Sequence, residues 1–201
     1  QSGARGRIRG RGIATFLEWT GGNAFEERVT VTVTPDGFIE LVSATQAMGQ
    51  GLATTYAQLA VDVFGVPIDR IRVVQGDTDL ATGFGSAGSR SLFTGGTAVT
   101  VASERTIAQA RRLAADSLEV AETDLEYAQA QFTVVGTDRR VGLFELAGRQ
   151  PEQRIHLDST SAVAGPTWPN GCHVCEVEID PDTGEVEVVA YASVNDVGRV
   201  V

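Results

Sequence analysis

The chain has 201 residues, enough for one domain or two small ones with a self-sufficient core. With 42% hydrophobic and 21% charged residues, its composition is that of an ordinary globular protein and excludes disorder, collagen-like repeats and coiled coils. A net charge of −10 argues against a broad nucleic-acid surface. No apolar run approaches the roughly 18 residues of a membrane span, and two cysteines exclude a disulfide scaffold and fit a reducing, cytoplasmic compartment.

All sixteen basic residues are arginine. Arg5, Arg7, Arg9 and Arg11 alternate with small residues near the start, which reads as a polar arm or linker. The expected organisation is therefore an arm or linker with a first strand over residues 1–27, followed by one domain over 28–201. The only methionine is Met48, no signal peptide is visible, and the sequence stops at two apolar residues, Val200-Val201, inside what reads as a continuing strand or turn. Together these lead to the expectation of an excised piece of a longer protein.

Residues 28–34 alternate β-branched and polar types with period two and predict a half-buried strand. Pro35-Asp36-Gly37 supplies turn chemistry, and 38–44 returns as a second strand, making a hairpin. Leu52, Tyr56, Leu59, Ala60 and Val63 have helical spacing, closed by Gly65 and Pro67. A short strand follows at 71–74, then a glycine- and serine-rich loop over 76–91, long enough to suggest function. An alanine-rich helix is expected from about Gly95 to Leu118, paired strands over 125–135, and a helical turn at 143–147. The C-terminal part reads as a hairpin, His173–Ile179 and Val186–Ala192 about an Asp-Pro-Asp-Thr-Gly turn. Hairpins mixed with two main helices give an α+β fold with mixed sheets.

Two glycine-rich loops run directly into helices: Met48-Gly49-Gln50-Gly51 into 52–64, and Gly85 to Ser91 into 95–118. The first turn of a helix leaves N–H groups unpaired and carries about half a positive charge, and flanking glycines let a ligand approach. The pair suits one extended anion held at two points. Gln50 would add an amide, Ser89, Ser91 and Thr94 hydroxyls, and Arg90 a cation. Neither loop has Walker or dinucleotide-fingerprint spacing. A non-catalytic anion- or nucleotide-binding module, or a structural domain whose glycines only turn the chain, are the alternatives.

Cys172-His173-Val174-Cys175, with His156, offers conceivable metal ligands, but residues three apart on a strand point to opposite faces. Buried structural cysteines are expected instead. Asp62, Asp69, Asp77 and Asp79 read as turn-capping residues in preference to a cation site. No metal site and no Ser-His-Asp arrangement is assigned.

Met48–Gly51 followed by Leu-Ala-Thr-Thr-Tyr-Ala-Gln-Leu resembles the cofactor loop and helix of the xanthine dehydrogenase and aldehyde oxidase family. Gly76-Asp77-Thr78-Asp79 and Gly88-Ser89-Arg90-Ser91 resemble the next conserved loop in the branch of aerobic carbon monoxide dehydrogenase large subunits. Gly10–Ala14, Glu18–Gly22, Glu176–Gly184 and Asn195–Gly198 match that branch in order along nearly the whole chain. The resemblance implies part of a bacterial large subunit that binds molybdopterin, as the cytosine dinucleotide, in a molybdenum-dependent oxidoreductase. It implies oxidative hydroxylation of a small molecule, with electrons passing to iron–sulfur and FAD partners. Carried over by residue, Gly49, Gln50 and Gly51 would meet the molybdenum or pterin end. Ala87, Gly88, Ser89, Arg90 and Ser91 would meet the phosphate region. The family's catalytic glutamate, in a Gly-Glu motif near the end of the subunit, is expected after Val201. No catalytic residue is therefore assigned here, and the isolated chain is expected to bind cofactor poorly and not to turn over.

Overall fold

The computed structural model describes Gly3 and residues 6–201 and divides into two units. One comprises the described residues up to Thr20 with 167–200, the other residues 21–166 with Val201. Residues of the expected 1–27 segment thus fall in both units, and Arg5 lies outside the described residues.

The first unit is built on β1 (Ile8–Leu17), β9 (Asn170–Ile179) and β10 (Val186–Asp196), an antiparallel sheet in the order β1-β9-β10. The arm reading of the arginine repeat is corrected here, because Arg7 lies just before β1 and Arg9 and Arg11 within it. Arg11 faces Glu176 and Arg9 faces Glu178 across the ladder, and both arginines pair with the Glu176 carboxylate. Opposite charges in register let an arginine-rich segment pair as a strand. These hydrogen bonds hold Glu176 below the usual carboxylate range, those from Arg9 and Arg11 contributing most. Cys172 and Cys175 are free and half-buried in β9, which corrects the expectation of full burial.

The second unit holds a four-stranded sheet in the order β4-β3-β2-β8: β2 (Glu26–Val33), β3 (Ile39–Ser43), β4 (Ile71–Val74) and β8 (Ile155–Ala162). Strand β2 is antiparallel to both β3 and β8, whereas β3 and β4 are parallel. Strand β8 is absent from the expectation, since Ile-His-Leu-Asp-Ser-Thr carries few branched apolar residues. It pairs through β2, where Thr32 bonds His156 and Arg28 bonds Asp158. Helix α1 (Leu52–Phe64) connects β3 to β4 and ends at left-handed Gly65, as the glycine and following proline predict. Helix α2 (Thr97–Leu118) buries an alanine-rich stripe, Ala98, Ala102, Ala110 and Ala114, which permits close packing. A small sheet β5-β6-β7 (Leu125–Ala128, Gln131–Val134, Arg140–Gly142) and α3 (Leu143–Arg149) complete the unit. The core joins Val29, Val31, Val33, Ile39 and Leu41 of the large sheet to Tyr56, Ala60 and Phe64 of α1 and to Phe132, Leu143 and Leu146. The α+β class with mixed sheets is as expected.

Candidate functional site

Parallel strands joined by one helix leave the sheet at the same end, so the segments after β3 (44–51) and after β4 (75–90) emerge side by side. Ser86 hydroxyl accepts the Gln46 N–H at 2.7 Å and donates to the Gln46 carbonyl at 3.1 Å, and Ser91 Oγ donates to Ser86 Oγ at 2.7 Å. The two glycine loops are thus hydrogen-bonded neighbours. A β-carbon on Gly85 would lie 3.8 Å from Gln46 Oε1.

Beneath them runs a buried hydroxyl chain. Tyr56 donates its single hydrogen to the Ser91 carbonyl at 2.6 Å, so it accepts from Thr45 (2.8 Å), which in turn accepts from Ser43 (2.8 Å). Burial pushes the Tyr56 phenol up to about 12, partly offset by the Thr45 hydrogen bond, so the phenol stays protonated and remains a donor. Gln75, just past β4, donates to the Thr45 carbonyl at 2.8 Å. Strand β3, helix α1 and the end of β4 are thereby tied to the start of the second loop.

That loop does not wait until Gly95 to become helical. A π-helical turn spans Ser91–Gly96 before α2 begins, which corrects the expected start. A β-carbon at Gly95 would sit 2.0 Å from the Tyr56 hydroxyl, and one at Gly96 would crowd Leu92 and Leu59. The two glycines are what lets the wide turn press against α1. Such turns recur at functional sites.

Gly51 caps α1 in the left-handed region (φ 78°), and neither α1 nor the π-turn has a side-chain cap. Gly49 (φ 94°) and Gly51 are exposed, and a β-carbon on either would meet nothing within 4 Å. Gln50 folds back on its own loop, with Oε1 accepting the Met48 N–H at 2.5 Å and Nε2 donating to the Gln46 carbonyl at 3.1 Å. Ala87, Gly88 and Ser89 are exposed on the second loop, with Gly88 (φ 57°) and Ser89 (φ 54°) both left-handed. Gly88 packs so closely on Gly22 that a β-carbon would fall 2.5 Å from the Gly22 Cα.

Arg90 departs from the sequence reading. Its guanidinium is fully buried, ion-paired to Glu27 at 2.7 Å, and donates to the carbonyls of Gly85 (2.6 Å), Ala24 (3.0 Å) and Glu26 (2.8 Å). A cation so engaged holds its own loop in shape and does not reach out to an anion. Any contact from Arg90 to a ligand falls to its backbone. Glu27 escaped the sequence reading, although it has the same inward parity as Val29, Val31 and Val33, and a carboxylate on a core face calls for a buried cation. Glu27 Oε1 and Thr94 Oγ1 are buried here without partners among the described residues. Nothing in the loop composition distinguished Ser86 from its neighbouring serines. Asp77 accepts the Asp79 N–H at 2.9 Å, the turn-capping role expected of it.

Residues 1–201 match the family model described as molybdopterin cofactor-binding domain. The chain is 31% identical over 208 residues to the 6-hydroxypseudooxynicotine dehydrogenase complex subunit gamma of Paenarthrobacter nicotinovorans, covering 98% of this chain and 26% of that protein. It is 33% identical over 210 residues to the carbon monoxide dehydrogenase large chain of Afipia carboxidovorans, covering 95% and 26%. The solved structure of reconstituted CO dehydrogenase from Oligotropha carboxidovorans matches with a TM-score of 0.80 and 31% identity, over 96% of this chain and 27% of that one. Quinoline 2-oxidoreductase from Pseudomonas putida matches with a TM-score of 0.80 and 27% identity, over 98% and 28%. The chain therefore spans about a quarter of the length of these relatives. A family match along all 201 residues, in a fold shared with a chain of CO dehydrogenase, places this chain in the molybdopterin cofactor-binding domain family.

Proposed function

We propose that this chain is the part of a molybdenum hydroxylase large subunit that grips molybdopterin in its cytosine dinucleotide form. The parent would hydroxylate an aldehyde, an N-heterocycle or carbon monoxide, passing electrons to iron–sulfur and FAD partners in the cytoplasm. The observation that carries this reading is the pair of glycine loops hydrogen-bonded to each other, each opening a helix that lacks a side-chain cap.

The donor set suits the cofactor. A pterin bearing a pyrophosphate is an elongated anion, and uncapped helix starts offer N–H groups and positive potential to it. The open space over Gly49 and Gly51 leaves their backbone accessible. In this reading Gly49, Gln50 and Gly51 hold the molybdenum or pterin end. Ala87, Gly88, Ser89 and Ser91, with the backbone of Arg90, hold the phosphate region. The bound cofactor supplies two-electron oxidation with transfer of water-derived oxygen to substrate. This chain's own contribution is to bind and orient it, and no proton transfer is assigned to any residue here.

The test is made on the complete gene product. Molybdenum is measured by elemental analysis and the nucleotide released by acid is identified. Stoichiometric molybdenum and cytidine monophosphate are expected, with both largely lost in Gly49→Val while circular dichroism is unchanged. A wild-type product lacking molybdenum, or a Gly49→Val product that keeps its full complement, overturns the proposal. Release of a different nucleotide overturns the cytosine form alone. The isolated 201-residue chain should give no dye-linked oxidation, and robust turnover would refute that part.

A further inference from the structure

We propose that Ser86 is a positioning residue that couples the two loops, so that the 46–51 loop retains its share of the cofactor only while the 85–91 loop is seated. This rests on the cofactor reading above. A serine hydroxyl has one hydrogen and two acceptor sites. Ser86 uses all three, donating to the Gln46 carbonyl and accepting from the Gln46 N–H and from the Ser91 hydroxyl. Its orientation is therefore single-valued.

The links continue on both sides. The same Gln46 carbonyl accepts Gln50 Nε2, and Gln50 Oε1 accepts the Met48 N–H, which sets the turn carrying Gly49 and Gly51. On the other side, the Ser91 carbonyl is fixed by Tyr56 at the first residue of the π-turn. Ser91 and Gln50, both assigned to the cofactor and far apart in sequence, are thus joined through one half-buried hydroxyl. Removing it unpairs the Gln46 N–H and leaves the Gln50 amide bonded to a carbonyl that is no longer anchored.

The experiment uses the complete gene product with Ser86→Ala, Ser86→Thr, Gln50→Ala and the double variant Ser86→Ala/Gln50→Ala. Hydrogen exchange reads the Gln46 and Met48 amides, and loss of molybdenum and pterin on prolonged dialysis reads cofactor release. Ser86→Ala should expose both amides and release cofactor about tenfold faster, the effect of roughly one lost hydrogen bond's worth of ordering. Ser86→Thr, which keeps the hydroxyl, should restore both readouts. Coupling predicts that the double variant releases cofactor little faster than Ser86→Ala alone, whereas independent structural roles would multiply the two effects. Unchanged retention in Ser86→Ala, or multiplicative effects, overturns the proposal and leaves the cofactor reading standing. A wild-type product without pterin overturns the cofactor reading. In that case the exchange arm alone decides whether Ser86 joins the loops, and unaltered Gln46 protection in Ser86→Ala refutes it.

Discussion

The Glu27–Arg90 pair permits the sharpest stability prediction. Both side chains are essentially inaccessible, at 1% and 0% exposure, and Nη1–Oε2 is 2.7 Å, so solvent screening does not discount the interaction. Glu27→Gln preserves shape and removes the charge, leaving a buried guanidinium facing only neutral carbonyls. Breaking a buried pair by removing one partner costs about 3–5 kcal/mol. For a protein of this size each kcal/mol lowers the melting temperature by about 2–4 °C, so the expected drop is roughly 6–20 °C. Arg90→Met should cost at least as much, because the carbonyls of Ala24, Glu26 and Gly85 lose their donor along with Glu27. The double variant Glu27→Gln/Arg90→Met removes both charges, leaving only the three carbonyls and the neutral amide at position 27 to be satisfied. It should therefore be less destabilised than the sum of the singles by about 2 kcal/mol or more. Urea unfolding of the four proteins closes the cycle. Singles that cost under about 1 kcal/mol, or effects that add within about 0.5 kcal/mol, would refute the argument that this pair holds the second loop.

Two further predictions separate backbone from surface effects. Gly88→Ala and Gly76→Ala both put a side chain at positive φ (57° and 78°), which costs about 1–2 kcal/mol. Only Gly88 also drives a β-carbon onto the Gly22 backbone, so it should cost at least about 1 kcal/mol more by urea unfolding, and equal costs would refute the close approach. The Asp158 carboxyl is held below its ordinary value chiefly by its hydrogen bond from Arg28. Its folded pKa is depressed, so its stabilisation is fully present above the unfolded pKa of about 3.9 and is lost as pH falls through the lower folded value. Asp158→Asn should therefore cost up to about 1 kcal/mol at pH 6, since the pair is half-exposed, and the gap to wild type should close on acidification below about pH 4. A gap that persists into strong acid would show that the charge is not its cause.

What was legible in the sequence follows from where local signals dominate. Strands β2 and β3, helix α1 with its Gly65 stop and the C-terminal hairpin carry strong periodicity or turn chemistry, and their observed positions agree closely with expectation. Strands β1 and β8 carry neither. They are strands because Arg9 and Arg11 face Glu178 and Glu176 in one case, and because β2 supplies a complementary edge in the other. Both reasons lie more than a hundred residues away in sequence. Loop residues were legible as glycine and serine, but the division of labour among them was not. Arg90 among serines suggests an anion ligand until Glu27 is seen on the inward face of β2.

The meeting of the two loops, by contrast, has a cause that local chemistry already contains. A strand at 39–43, a helix at 52–64 and a strand at 71–74 form one β-α-β crossover. A helix of 13 residues at about 1.5 Å per residue runs some 20 Å, enough to carry the chain back along a short strand. The second strand must then run parallel to the first, as β3 and β4 do in a sheet otherwise antiparallel. Parallel strands finish at the same end, so whatever follows each of them is delivered to the same place. The glycines make those deliveries open to a ligand, Tyr56 and Ser86 fix their spacing, and Arg90 with Glu27 fixes the shape of the second. Site position thus belongs to the topology, whereas site geometry belongs to a few buried polar contacts. Substitutions in the second group should disturb cofactor retention while leaving the element order intact.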